Sequence, residues 1–351
     1  VPARTLDVND GRFVVVVGGA NMDTAVRAGP PLRPGDSTPG RVRHAPGGVA
    51  RNVAENLARL GHAVRLISVV GDDAAGHALL TATRHAGVDV SMSGALAGAA
   101  TASYVAMLDA GGELVAAVND MQVLDRLTPA LLAPHAGQMA EAAALVLDAN
   151  LPEATLGWLF EQRGAAPVFA DAVSAHKCRR LLPWLGRVRL LKANRLEAQA
   201  LSGLPAQTPA EVERAALKLH ALGVRQVVVS LGAAGQYFSA LGDASGGAAG
   251  DAHGDRHGTA SGGAHRDAQD RESGWQAAPP ADVHDTTGAG DALMAGLVHA
   301  HLRGEPLARA VRFGAGCAAM TVSVASANHP GLSVAQVERL LAASTPPPAE
   351  P

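Results

Sequence analysis

Short, wholly apolar runs recur along the chain, and segments with helical spacing lie between them. Phe13–Val17 is the first such run; its β-branched residues stop at Gly18-Gly19, which suits a strand buried on both faces. Similar runs occupy 63–70, 144–147, 168–170, 190–191 and 227–230, and helical spacing occupies 49–60, 76–86, 152–163, 174–185, 195–202 and 209–222. Strands alternating with helices predict βαβ units and a mostly parallel central sheet with helices on both faces, an α/β fold of Rossmann-like type. Ligands of such sheets bind beyond the carboxyl ends of the strands, so residues just after each apolar run carry the most weight.

Two regions break this rhythm. Residues 36–44 and 101–118 read as strand, turn and strand, with Ala102–Leu108 leading into Asp109-Ala-Gly-Gly-Glu113, and predict a small antiparallel sheet projecting from the main domain. The stretch 242–274 is rich in Gly, Ala, Asp, His and Ser without apolar periodicity, and reads as a disordered insertion between Tyr237-Phe238 and Trp275. Its His253, His257 and His265 have no carboxylate or thiol at fixed spacing, which argues against a metal site. One domain over 13–342 is expected, followed by a Pro-rich tail at 343–351.

Composition narrows the class. With 48% hydrophobic residues in a 351-residue chain, one large domain can bury a full core; only 3% are aromatic, so Val, Leu and Ala must fill it. Lys+Arg 29 against Asp+Glu 32 leaves a net charge of −3, which provides no footprint for gripping nucleic acid. No apolar run approaches the roughly 18 to 20 residues that cross a bilayer, and the amino terminus lacks a basic segment followed by an apolar one. A cytoplasmic location is expected. Cys178 and Cys317 build neither a disulfide framework nor a four-ligand zinc site and read as small core residues. The chain begins at Val1 rather than Met, as a fragment lacking an upstream segment would.

The most informative stretch is Asp285-Thr-Thr-Gly-Ala-Gly-Asp291, which runs into the apolar segment Ala292–Val298. A glycine-rich turn entering a helix aims several backbone N–H groups at one spot, where the helix dipole favours negative charge. Asp291 would sit in the first helical turn beside this anion hole, placed to accept a proton from a hydroxyl attacking a phosphoryl group. The plainer alternative is a carboxylate that only complements the dipole. Gly47-Gly48-Val-Ala-Arg-Asn52 is a second glycine pair entering a helix; Asn52 can donate and accept to vicinal hydroxyls, or merely stand near a cap. Asn21-Met-Asp23 is expected to end the first strand, with Asp23 either chelating two sugar hydroxyls or serving a turn. In Lys192-Ala-Asn-Arg-Leu-Glu197, Asn194 and Glu197 lie three apart on one helical face, suited to the waters of a phosphate-bound Mg²⁺ or to a capping arrangement. Ser230-Leu-Gly-Ala-Ala-Gly235 follows a strand and offers amides and a hydroxyl to phosphates, or simply a turn.

Together these segments resemble the ribokinase-like (PfkB) family of carbohydrate and nucleoside kinases, from about Phe13 to Ala342 and interrupted only by the low-complexity insertion. Both family signatures stand in order, Gly-Gly-x-x-x-Asn at 47–52 and Asp-Thr-x-Gly-Ala-Gly-Asp at 285–291, with Lys-x-Asn-x-x-Glu between them. Within the family, the segments at 36–40, 47–52, 101–104, 119–121, 148–150, 172–178 and 192–197 look most like its pseudouridine kinase branch. Ala193 departs from the pattern, since relatives often have Pro there.

The resemblance implies transfer of the ATP γ-phosphoryl group to the 5′-hydroxyl of pseudouridine. It implies Asp291 as general base, the amides of Gly288, Ala289 and Gly290 as anion hole, and Asn21, Asp23, Gly47, Gly48 and Asn52 at the ribose. Lys192, Asn194, Glu197, Ser230, Gly232, Gly235 and Asn328 are implied on the nucleotide side, with Asn194 and Glu197 reaching Mg²⁺ through water. The carbonyls of Asp285 and Thr287 match positions that bind a monovalent cation such as K⁺ in some members. The two irregular strand regions would be a lid that covers the sugar and, in relatives, often pairs with another subunit's lid. Pseudouridine carries one more outward ring N–H than uridine, and Thr101, Ser103, Asn119, Asn150 and Lys177 are the candidates for reading the base. Two alternatives stay open: a kinase of another nucleoside or sugar, such as ribose, uridine, adenosine or fructose, and a catalytically idle nucleoside sensor.

Overall fold

A computed structural model describes residues 11–31, 35–242, 264–266 and 271–344. Six strands form the parallel part of a nine-stranded sheet, in the order Gln226–Ser230, Leu190–Asn194, Val168–Asp171, Ala144–Asp148, Val14–Val17 and Val64–Ile67. Gln236–Leu241, Arg271–Gln276 and Ala264–Arg266 extend it beyond Gln226–Ser230 as antiparallel strands. The all-valine strand Val14–Val17 shows why such runs need no alternation. Val15 and Val17 pack into the core on one face while Val14 and Val16 pack into the core on the other. Helices cover both faces: Glu153–Gln162, Arg195–Ser202 and Pro209–Ala221 on one, and Val49–Arg59, Ala289–Leu302, Leu307–Val322 and Val334–Ala343 on the other. This is the expected α/β class.

The projecting sheet has four strands in the order Gly40–Gly47, Asn21–Ala28, Ser103–Leu108 and Leu114–Asp120. Its outer pairs are antiparallel and its central pair, Asn21–Ala28 with Ser103–Leu108, is parallel. The sequence expectation of a purely antiparallel sheet from 36–44 and 101–118 therefore omitted one strand. Asn21-Met-Asp23 does not end the first strand, which stops at Val17; it opens Asn21–Ala28 in the projecting sheet. That strand is half-buried with polar residues interspersed, so it lacks the apolar run by which the core strands are recognised.

Three further expectations change. The helix expected at 174–185 is a 3₁₀ segment, Lys177–Arg187, because Pro183 removes a backbone donor inside it. Part of the expected disordered insertion is ordered, since Arg271–Gln276 pairs with Gln236–Leu241; 243–263 and 267–270, including His253 and His257, lie outside the described residues. Of the tail, Ala343 ends the last helix and 345–351 lie outside the described residues. No helix among the described residues is long and apolar enough to cross a membrane.

The helix Ala289–Leu302 is buried from Asp291 to Ala300, so its apolar sequence all round is explained by neighbours on every side. Its crossing with Leu307–Val322 depends on two glycines: a Cβ on Gly296 would lie 2.5 Å from the Gly314 Cα. Gly296→Val is expected to lower stability by about 1–3 kcal/mol through overpacking. Urea denaturation would show this as a lower midpoint with an unchanged slope.

Candidate active site

The two glycine-rich turns meet. Gly48 caps the helix Val49–Arg59 with φ 100°, and a Cβ there would overlap the backbone of Gly19 and Ala20. A Cβ on Gly47 would overlap the Asp23 carboxylate. These glycines are needed because the turn presses on the chain leaving the first strand and on the opening of the projecting sheet. Gly288, with φ 78°, caps the helix Ala289–Leu302 and is pressed just as closely on the Ala327 carbonyl. Asp291 follows in that helix's first turn, and Asn52 Nδ2 donates to Asp291 Oδ2 at 2.8 Å. Both side chains are buried.

Burial pushes the Asp291 carboxyl up to about 7, and the nearby Asp171 carboxylate adds to the rise, while Lys192 and the Asn52 hydrogen bond oppose it. Lys192 Nζ donates to Asp171 Oδ2 at 2.8 Å in a buried ion pair and lies 2.7 Å from the place a Gly290 Cβ would occupy. Burial works against the Lys192 charge, but Asp171, Glu197 and Asp291 outweigh it and hold the ammonium protonated. A cationic group thus stands at the face of the Gly288–Gly290 turn.

Behind the turn opens a cavity of about 580 Å³. Ser230, Gly232 and Ala233 line one side, Ala289 and Gly290 another, and Pro279, Val283, Leu293 and Val322 make much of the remainder apolar. An apolar chamber ending at a glycine-rich helix N-terminus fits a nucleotide, base inside and phosphates at the amides. Gly235 is not among the lining residues. Its φ is 91°, and a Cβ would overlap the Gln276 carbonyl, so it shapes the turn. Asn328, expected on the nucleotide side, is instead committed within the protein: it accepts from Arg51 Nη1 at 2.8 Å and donates to the Asn52 carbonyl and to Asn56 Oδ1, each at 2.9 Å.

Asn194 and Glu197 form a capping box. The Asn194 side chain accepts from the Glu197 amide at 3.0 Å, and the two Glu197 oxygens accept from the Asn194 amide and side chain, each at 2.7 Å. With its oxygens engaged in this way, Glu197 suits contact with a hydrated cation better than direct ligation. Asp285 Oδ1 accepts from the Thr287 amide at 2.8 Å, an exposed turn. Among the described residues no three His, Cys, Asp or Glu side chains cluster as metal ligands. Asn21 Nδ2 donates to Asp23 Oδ1 at 2.6 Å, and burial raises the Asp23 pKa.

Of the base-reading candidates, Asn119, Asn150 and Lys177 line one second cavity of about 440 Å³ together with Asp125 and Arg180. Lys177 Nζ donates to Asn150 Oδ1 at 2.6 Å. Ser103 pairs with Met22, beside Asp23, in the projecting sheet. Thr101 does not belong with them. Its hydroxyl donates to Asp73 Oδ1 at 2.6 Å and accepts from the Gly71 amide, so it secures the cap of the helix Ala74–His85.

Asp148 and Asp171 received no role from sequence reasoning. Each ends an apolar strand, the very place the sheet topology marks. Asp148 is fully buried and accepts from the amides of Gly19, Ala50 and Asn150 at 2.8, 3.1 and 2.9 Å, tying the first glycine turn to the sheet. Arg51 was also missed; an arginine inside an amphipathic helix gives no local sign that it is buried.

Residues 12–334 match the model of the pfkB family carbohydrate kinases. The chain is 38% identical over 329 residues to a pseudouridine kinase of Escherichia coli, covering 94% of this chain and 96% of that protein. A carbohydrate kinase structure from Agrobacterium tumefaciens is 30% identical with a TM-score of 0.73, covering 94% and 97% of the two chains. A ribokinase of Arabidopsis thaliana, solved with ribose and ATP, shares the fold with a TM-score of 0.76 at 23% identity over 94% and 98% of the chains. With the family model matching residues 12–334 and a relative 38% identical over 94% of the chain, the chain belongs to the pfkB family of carbohydrate kinases and is a phosphotransferase with an alcohol group as acceptor.

Proposed function

We propose that the protein transfers the γ-phosphoryl group of ATP to the 5′-hydroxyl of pseudouridine, with Asp291 as general base. The observation that carries this reading is the seat of Asp291. It lies in the first turn of a glycine-capped helix, hydrogen-bonded to Asn52 from the opposite turn and directly after Ala289 and Gly290, which line the nucleotide-sized cavity. Similarity to the Escherichia coli pseudouridine kinase supports the choice of acceptor.

In this reading Asp23, with Asn21, Gly47, Gly48 and Asn52, holds the ribose, and the projecting sheet is the lid over it. Asp291 removes the 5′-hydroxyl proton as the oxygen attacks. The amides of Gly288, Ala289 and Gly290 receive the charge that develops on the transferring group, and Lys192 supplies a positive charge beside Gly290. Ser230 and Gly232 border the nucleotide. Mg²⁺, when bound with ATP, neutralises phosphate charge; Asn194 and Glu197 would meet its waters. Phosphoryl transfer asks mainly for positioning and charge neutralisation, and these residues supply both. Closure of the lid excludes water that would otherwise waste ATP. Asn119, Asn150 and Lys177 border the base, where the additional N–H of pseudouridine requires an acceptor and the Asn150 amide oxygen provides one. Exposed Val42, Leu114, Val115 and Val118 on the lid support pairing with a second copy of the chain.

ATP consumption measured in parallel with pseudouridine, uridine and ribose is expected to give the highest kcat/KM for pseudouridine, by about tenfold or more. A preference for uridine or ribose overturns the choice of substrate and leaves the kinase family intact. Asp291→Asn is expected to keep nucleoside binding in calorimetry while losing roughly 10² to 10⁴ in kcat; near-normal turnover removes Asp291 from the chemistry. The base works only when ionised, and burial raises its pKa. Activity is therefore expected to fall as pH drops through about 7 and to level off above it, read from kcat/KM for the nucleoside against pH.

A further inference from the structure

Arg51 stands one residue before Asn52 and is only 4% exposed. Its Nη1 donates to Asn52 Oδ1 at 2.9 Å, to Asn328 Oδ1 at 2.8 Å and to the Pro46 carbonyl at 3.1 Å, and its Nη2 is ion-paired with Glu55. Glu55 is held in turn by Arg59 Nη2 at 2.7 Å. Asn328 is fixed through its nitrogen, which donates to the Asn52 carbonyl and Asn56 Oδ1. Among the described residues, only Arg51 and Asp291 hydrogen-bond to the Asn52 side chain.

A guanidinium has donors and no acceptor. The atom of Asn52 that faces Arg51 is therefore the oxygen, which leaves the nitrogen for Asp291. We infer that Arg51 is a positioning residue that sets the polarity of the Asn52 amide, so that the Asp291 carboxylate always meets a donor. The inference rests on the reading of Asp291 as general base. Amide oxygen and nitrogen are close in size, so shape alone does not prevent a flip. A flipped amide would set Oδ1 against Asp291 Oδ2, and two acceptors tolerate that contact only when the carboxyl carries its proton. The base would then be held in its idle form.

The charged groups that act on Asp291 and Arg51 come from several elements. Asp291 is faced by Lys192, Asp171 and Asp148 from the strand ends, and by Arg51. Arg51 is faced by Glu55 and Arg59 on its own helix and by Asp23 on the lid strand. None of the others hydrogen-bonds to the Asn52 amide, so the orienting role falls to Arg51.

The test is the pH profile of kcat/KM for the nucleoside in the intact enzyme, with Arg51→Met, Arg51→Lys and Asp291→Asn assayed together. Arg51→Met is expected to move the acid limb upward by about one pH unit, so that its rate relative to the parent falls about sevenfold between pH 8.5 and pH 6. Arg51→Lys, whose ammonium also only donates, is expected to bring the limb back toward the parent's. A purely structural role would lower the melting temperature without moving the limb. If Arg51→Met does not fold, Asn328→Ala loosens the guanidinium while keeping the Arg51–Glu55 pair, and is expected to move the limb the same way by a smaller amount. A limb that coincides with the parent's in the folded variant overturns the inference. Should Asp291→Asn itself retain turnover, the failure belongs to the general-base reading; if it is inactive and the limb is unmoved, the failure belongs to Arg51 alone.

Discussion

The hydrogen bond from Asn52 to Asp291 is the constraint around which the site is organised. It joins residues 239 positions apart in the chain. Each sits near the start of a helix that begins at a glycine, so the bond fixes two helix N-termini against each other. The first turn's own amides are spent inside the protein, Ala50 on Asp148 Oδ2 and Arg51 on the Gly19 carbonyl, so what the bond brings together is the positive ends of two helix dipoles. Side chains at Gly47, Gly48 and Gly288 would strike the Asp23 carboxylate, the Gly19–Ala20 backbone and the Ala327 carbonyl, so neither turn could keep its shape with them. The glycines are thus a packing requirement of the site before they are a feature of its chemistry.

Around this bond the protein concentrates charge where water is scarce. Asp148, Asp171, Lys192, Glu197 and Asp291 are all buried, and one ammonium does not balance four carboxylates. Their partners differ. Asp171 holds a direct ion pair, Glu197 is engaged in a cap, and Asp148 accepts three backbone amides. Asp291 has one side-chain donor and is desolvated beside like charges, which raises its pKa toward neutrality. In the proposed role of Asp291 as general base, few partners suit a carboxylate that must bind and release a proton near neutrality.

Much of this was legible in the sequence. Apolar runs followed by helical spacing predicted the parallel sheet, and the two glycine motifs marked both turns. What escaped was decided by long-range contact. Asn21–Ala28 does not read as a strand because, in the middle of the projecting sheet, most of its side chains stay only half-buried and polar residues are interspersed with apolar ones, so no apolar run forms. Thr101 and Asn328 are polar residues in plausible places, yet their hydrogen bonds are consumed by Asp73 and by the helix Val49–Arg59. Asp148 and Asp171 were within reach, because an aspartate closing an apolar strand is itself a signal. Arg51 was not, since burial of a helical arginine depends on partners from distant segments.

The strand Asn21–Ala28 begins beside the first glycine turn and runs outward through the middle of the projecting sheet. Asp23 rides on it, against Gly47 and bonded to Asn21. A shift of that sheet cannot leave Asp23 behind. In the proposed reading of that sheet as a lid and of Asp23 as a ribose ligand, any swing that uncovers the acceptor's berth also withdraws this carboxylate, so admission and grip become one mechanical event rather than two.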